Sequence, residues 1–234
     1  MDGRKLVYQG KTKDVYRLDK GRVLLRFKDD VTGTDGVFDP GANTVGLSIE
    51  GMGRENLAMS AHFFKLLKAA GLKTHFLSAN LEENTMEALA AVPFGKGVEV
   101  ICRRRAAGSF VRRYGAYVEA GAPLPDYVEM TLKDDGRGDP LITAEALEAL
   151  GIMDRQRYDE LSALTRAITK IVAEELDRAG LELVDIKYEF GLADGELVLM
   201  DEIAAGNMRV LDAGRPVEAL ALTRRVLRRE AGHA

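Results

Sequence analysis

With a single cysteine, Cys102, the chain cannot form an internal disulfide, and none of its 3 histidines completes a Cys/His set at zinc spacing. Any metal chemistry must therefore rest on oxygen ligands. A run of roughly 18 or more apolar residues is also missing, which argues against a membrane-spanning helix. Residues 1–5 lead straight into a strand pattern, so neither a signal peptide nor a membrane span is expected, and the expected location is cytoplasmic. There is no Ser/His/Asp or Cys/His arrangement, so a side-chain nucleophile has little support. Internal repeats and low-complexity tracts are absent too. The 33 basic and 37 acidic residues leave a net charge of −4, without global attraction for a nucleic-acid polymer or an anionic membrane. What remains is ordinary for a soluble protein. Apolar residues make up 46% and charged residues 30% of 234, enough for one large domain or two small packed lobes.

Residues 181–212 hold the strongest local pattern. Asp194-Gly195 between two apolar runs predicts a tight β-hairpin. On the first strand Asp185, Lys187 and Glu189 alternate with Val184, Ile186, Tyr188 and Phe190, so the charges share one face. The second strand ends in Asp201 and Glu202. A loop with an odd number of residues would set Glu189 opposite Asp201, a like-charge pair that destabilises a sheet unless a cation lies between them. Mg²⁺ held by one or two carboxylates plus substrate phosphates fits that need. A solvated charged face neutralised by Lys187 fits the pattern equally well.

Ahead of the hairpin, residues 5–28 read as three strands, with Gly10, Lys11 and Lys13 at the first turn. This turn resembles a phosphate-covering loop but is not a Walker A loop, and an ordinary hairpin turn is the simpler reading. Residues 28–36, with Asp29, Asp30 and Asp35, read as a polar loop, and 41–53 as irregular. A helix is predicted from Glu55 to Ala70, ending at Gly71. His62 and His75 have no visible partners and read as structural. A strand at 74–77, a weak helix at 83–90 and a buried strand at 98–102 follow. Next come Arg103, Arg104 and Arg105, small residues, and Ser109, which is placed to cap a helix starting at Phe110 or to donate to an anion. Arginine matches carboxylate and phosphate bidentately, so a small-anion pocket is preferred here over a nucleic-acid patch. A strand at 128–133 leads to a second acidic loop with Asp134, Asp135 and Asp139. Beyond it lie a helix near 143–150, a long amphipathic helix over 154–179 and a final helix over 216–229.

These segments, in order and spacing, resemble the SAICAR synthetase (phosphoribosylaminoimidazole-succinocarboxamide synthase) family. The match runs through residues 8–13, 28–36, 71–75, 103–109, 133–140, 183–191 and 201–203, with Arg209 and Asp212 downstream. The resemblance implies an α+β, two-lobed fold: a small antiparallel β-rich N-terminal lobe over 1–78, a larger α/β lobe over 79–234, and an ATP cleft between them. It implies ligation of carboxyaminoimidazole ribonucleotide to L-aspartate through an acyl phosphate, with ATP and Mg²⁺. It places Gly10, Lys11, Lys13, Lys187 and Glu189 at the nucleotide, and Glu189 and Asp201 on the metal. Asp35, Arg103, Ser109, Lys133, Asp139 and Arg209 would meet the substrates, with Lys11, Arg103 and Asp201 catalytic. Partners are then small molecules, with a homo-oligomer allowed. Two stretches depart from the family pattern. Ala204-Ala205-Gly206 stands where Ser-Pro-Asp is usual, and residues 51–56 replace a Lys-Gly segment with paired asparagines. Both lie on the substrate side, which leaves a paralogous carboxylate–amine ligase, or less readily a non-catalytic nucleotide-binding module, as alternatives.

Overall fold

A computed structural model describes residues 5–42 and 44–227. The opening residues 1–4 and the end of the last expected helix, 228–229, lie outside them. The described residues form three antiparallel sheets and five α-helices. The first part contains β1 (Lys5–Gln9), β2 (Lys13–Arg17), β3 (Arg22–Phe27), β4 (Asp30–Thr34), β5 (Val37–Phe38) and β6 (Val45–Ser48). Helix α1 (Met52–Ala69) follows, then β7 (Phe76–Asn80), β8 (Thr85–Leu89), β9 (Val92–Pro93), β10 (Val98–Arg105), α2 (Gly108–Tyr114), β11 (Pro123–Leu132) and β12 (Leu141–Ile142). The chain continues through α3 (Ala144–Ala149), α4 (Arg155–Arg178), β13 (Glu182–Ala193), β14 (Glu196–Met200), β15 (Met208–Asp212), β16 (Arg215–Pro216) and α5 (Ala219–Leu227).

The first sheet runs β1-β2-β3-β8-β7, and the small one β5-β4-β6. The large sheet runs β12-β11-β10-β13-β15-β16, with β14 and β9 also pairing with β13. Strand β13 is central because one face buries Tyr188 and Phe190 completely against α4, whose Leu161, Ile168, Val172 and Leu176 are also fully buried. The opposite, charged face is left to line the cleft. Helices α1 and α5 pack together at the other side of the core, where Leu57, Phe63, Phe64, Leu67, Leu222 and Val226 meet one cluster. No helix among the described residues is long and apolar enough to cross a membrane.

Several expectations are corrected. The helix read at 83–90 is β8: its Met86 and Ala88 alternate inward and pair with β3, so the sheet overrides a helix-forming composition. The polar loop 28–36 carries β4, and the irregular stretch after it carries β6, which pairs with β4. The hairpin turn has two residues, Asp194 (φ 51°) and Gly195 (φ 80°), a type I′ geometry. An even loop sets Glu189 opposite Met200, not Asp201. The first sheet runs on past residue 78 through β8, so a division at 78/79 falls inside β7.

Candidate active site

Alternation on three neighbouring strands builds the floor of the cleft. Glu99 on β10, Glu189 on β13 and Thr131 on β11 form one row, Ile101, Lys187 and Glu129 the next, and Arg103, Asp185 and Tyr127 a third. Within the first two rows, Lys187 Nζ donates to Glu99 Oε1 at 2.7 Å and lies 3.8 Å from Glu189 Oε1. Thr131 Oγ1 donates to Glu99 Oε2 at 3.0 Å, and Lys133 Nζ to Glu189 Oε1 at 2.6 Å. The roof comes from the first sheet. Lys13 at the start of β2 reaches across to Glu202 Oε1 at 2.5 Å and Asp201 Oδ1 at 3.1 Å.

Asp201 follows β14 in a left-handed conformation (φ 67°). Its carbonyl accepts a bond from His75 Nε2 at 3.2 Å, so the buried His75 does have a partner and its proton sits on Nε2. His62 likewise lies 3.1 Å from Glu175. Burial opposes the charge of Asp201, but Lys13, Lys133 and Lys187 hold its pKa down to about 2. The same logic runs in reverse for Lys13 and Lys187. Burial works against their charge, and the facing carboxylates outweigh it and raise both pKa values. Burial pushes the Glu202 carboxyl up, Lys13 partly offsets this, and the like charge of Asp201 adds to it.

At the other end of the cavity an alternating chain of charges runs Asp39, Arg209, Asp185, Arg103, Glu129, Arg113. Arg103, 3% exposed, spends all five N–H donors inside the protein. They go to Glu129 (3.0 and 2.8 Å), Asp185 (2.5 Å), the Ala107 carbonyl (3.3 Å) and Ser109 Oγ (2.8 Å). Ser109 therefore accepts from Arg103. Helix α2 starts at Gly108 behind Ala107 and has no side-chain cap. Arg209 donates to Asp185 at 3.0 Å and to Asp39 at 2.9 Å, and Arg113 to Glu129 at 2.5 Å. The Arg209 guanidinium packs close to two glycines: a Cβ at Gly41 would lie 2.2 Å from its Nη2, and Gly108, with a Cβ 2.8 Å from its Nη1, takes a left-handed φ of 52° that favours glycine.

Eleven of the twelve predicted site residues line this one cavity: Gly10, Lys11, Lys13, Arg103, Ser109, Lys133, Asp139, Lys187, Glu189, Asp201 and Arg209. Asp35 does not; it is exposed in the turn between β4 and β5. Glu99, Glu129, Arg113, Asp185 and Glu202 were missed as site residues. A signal for the first two existed in the alternation of β10 and β11, where each carboxylate sits between apolar neighbours that face the core. Among the described residues no three His, Cys, Asp or Glu side chains gather as a metal cage. A cation here would need ligand oxygens from a bound anion as well.

A two-sheet cleft walled by paired lysines, carboxylates and arginines defines an enzyme for phosphorylated substrates. Residues 6–233 match the SAICAR synthetase family model. Phosphoribosylaminoimidazole-succinocarboxamide synthase of Clostridium tetani is 52% identical over 224 residues, 95% of this chain and 99% of that one. A solved SAICAR synthetase in complex with ADP is 29% identical, with a TM-score of 0.83 and 97% of each chain covered. Another, from Pyrococcus horikoshii OT3, is 27% identical with a TM-score of 0.81, covering 94% of this chain and 98% of that one. The chain belongs to the SAICAR synthetase family and is a ligase.

Proposed function

We propose that this chain joins carboxyaminoimidazole ribonucleotide to L-aspartate, with ATP converted to ADP and phosphate. A carboxylate oxygen of the ribonucleotide attacks the γ-phosphorus of ATP and ADP leaves. The amine of aspartate then attacks the acyl carbon, and phosphate leaves as the amide forms. Both steps gain mainly from positioning and from neutralising phosphate charge. Lys11, Lys13 and Lys187 face the nucleotide's phosphates. Magnesium would be held by Glu189 and Asp201, and it supplies charge neutralisation when bound. The donor set suits it: one oxygen of each carboxylate is held by lysine, Asp201 Oδ1 by Lys13 and Glu189 Oε1 by Lys133 and Lys187, and among the described residues the hydrogen bonds and ion pairs engage only these oxygens. Arg209 and Ser109 meet the ribonucleotide. Arg103, with every donor engaged, acts by holding Asp185, Glu129 and Ser109 in place.

The observation that carries this reading is the gathering of Lys13, Lys187, Glu189 and Asp201 from both sides of one cleft. Incubation of the purified chain with carboxyaminoimidazole ribonucleotide, L-aspartate and Mg-ATP tests it. Stoichiometric ADP and amide are expected; ADP without amide, or no turnover, refutes the acceptor and amine assigned.

A further inference from the structure

Four polar side-chain atoms on the cavity wall are shut off from solvent without a hydrogen-bond partner: Thr32 Oγ1, Asn56 Oδ1, Arg113 Nε and Glu202 Oε2. Buried polar groups are paired as a rule, because an unmet one costs about 1–3 kcal/mol. Two of the four stand out as acceptors. Asn56 is 4% and Glu202 5% exposed. Asn56 projects from the second turn of α1. One turn further, Ser60 Oγ donates to the Ile203 carbonyl at 3.3 Å, which ties α1 to the segment right after Glu202. Glu202 has its first oxygen on Lys13, which it shares with Asp201, and its second oxygen has no partner. A Cβ added at Gly206 would meet only Glu202 Oε1, at 4.0 Å, so the backbone here leaves the carboxylate uncrowded on its Lys13 side. Two buried acceptors without donors on the wall of one cavity call for a ligand group rich in N–H.

We propose that Asn56 and Glu202 form an amine subsite that accepts hydrogen bonds from the α-amino group of the amino-acid substrate. This rests on the ligase reading above and adds to it a specificity element, since carboxylates of the same substrate must be held elsewhere. A site that pairs buried acceptors with a substrate amine discriminates against the analogue lacking it, because the acceptors then stay unpaired.

Succinate is L-aspartate with the amino group replaced by hydrogen, so it reads the subsite directly. Calorimetry and competitive inhibition give the affinity of each compound for the wild type, Asn56→Ala and Glu202→Gln, with ADP and ribonucleotide present. The wild type should prefer L-aspartate over succinate by about tenfold or more, the scale of a lost bond to a charged group. In Asn56→Ala the preference should shrink severalfold through weaker aspartate binding. Succinate binding and the KM values for ATP and ribonucleotide should move less than about twofold, on the scale of a site not touched. Alanine favours a helix, and thermal unfolding of the variant verifies its fold.

Parity of the two compounds on the wild type overturns the proposal, as does a parallel loss of both in Asn56→Ala. A shift confined to the ribonucleotide or to ATP would assign the acceptors to an amino group on a base. If Glu202→Gln moves only the magnesium requirement, Glu202 is a metal ligand and the subsite falls. Amide product without discrimination sinks the subsite alone. Discrimination without amide product sinks the ligase reading instead.

Discussion

Asp201 stays ionised in a crowded position only because three ammonium groups face it, which fixes what its replacement should do. Asp201→Asn keeps the shape and removes the charge. Turnover should drop by at least about 100-fold, in line with losing a preorganised electrostatic group, while far-UV circular dichroism stays native. Near-normal activity would end the metal assignment. Arg209→Ala should raise KM for the ribonucleotide about tenfold or more, as expected for a charge-assisted contact, and leave KM for ATP nearly unchanged. Equal losses for both would misplace the acceptor. His75 gives a pH signature. Burial lowers its pKa to about 4 from 6.5, so the folded protein keeps it neutral while the unfolded chain takes up a proton below about 6.5. Stability should therefore fall as pH drops from 6.5 to 4, by roughly 3 kcal/mol in all, and no further from this group below that. Thermal unfolding across that range should slope less in His75→Gln; an unchanged slope places the titration elsewhere. The Asp201 contribution lies lower, being present above 3.8 and lost as pH falls toward 2.

At the scale of elements, the parts legible in the sequence are those whose pattern is set locally. Asp194-Gly195 demands positive φ at two successive residues, so the hairpin could be read without knowing its surroundings. Gly195→Ala should cost about 1 kcal/mol or more, visible in the urea midpoint, because alanine is strained at φ 80°. Helix α4 was readable for the same reason, since its apolar stripe needs no partner to be seen. Strand β8 was not: Glu83 to Ala90 has a helix-forming composition, and only the open edge of β3 decides its conformation. The acidic cleft was half legible. Lys187 and Glu189 announce a charged face; alternation marks Glu99 and Glu129 only as turned away from the core, and the register of β10 and β11 is what brings them into the rows of Glu189 and Lys187. Arg103 misled for a physical reason. Three consecutive arginines suggest free guanidinium groups, whereas packing against Glu129 and Asp185 consumes the first of them completely.

At the scale of the whole molecule, charge contacts among the described residues span the cleft: Lys13 to Asp201 and Glu202, Arg209 to Asp39, and Lys11 to Asp135 at 2.7 Å. They differ in how readily they exchange. Lys13 and Glu202 are 9% and 5% exposed, so breaking that pair strands a buried charge and costs several kcal/mol. Lys11 and Asp135 are 35% and 53% exposed, and a pair in that setting is worth only about 0.2–1 kcal/mol. The buried contact therefore acts as a fixed brace between the sheets, whereas the exposed one exchanges at little cost. If Lys11 serves ATP, Asp135 competes with the nucleotide for it. Removing that competitor with Asp135→Asn should lower KM for ATP by up to about fivefold, the equivalent of the exposed pair's full worth. The gain should fade with added salt, since screening weakens the pair in the wild type as well. A raised KM would mean that Asp135 itself helps to hold the nucleotide, and that the mouth of the cleft closes through this pair after binding.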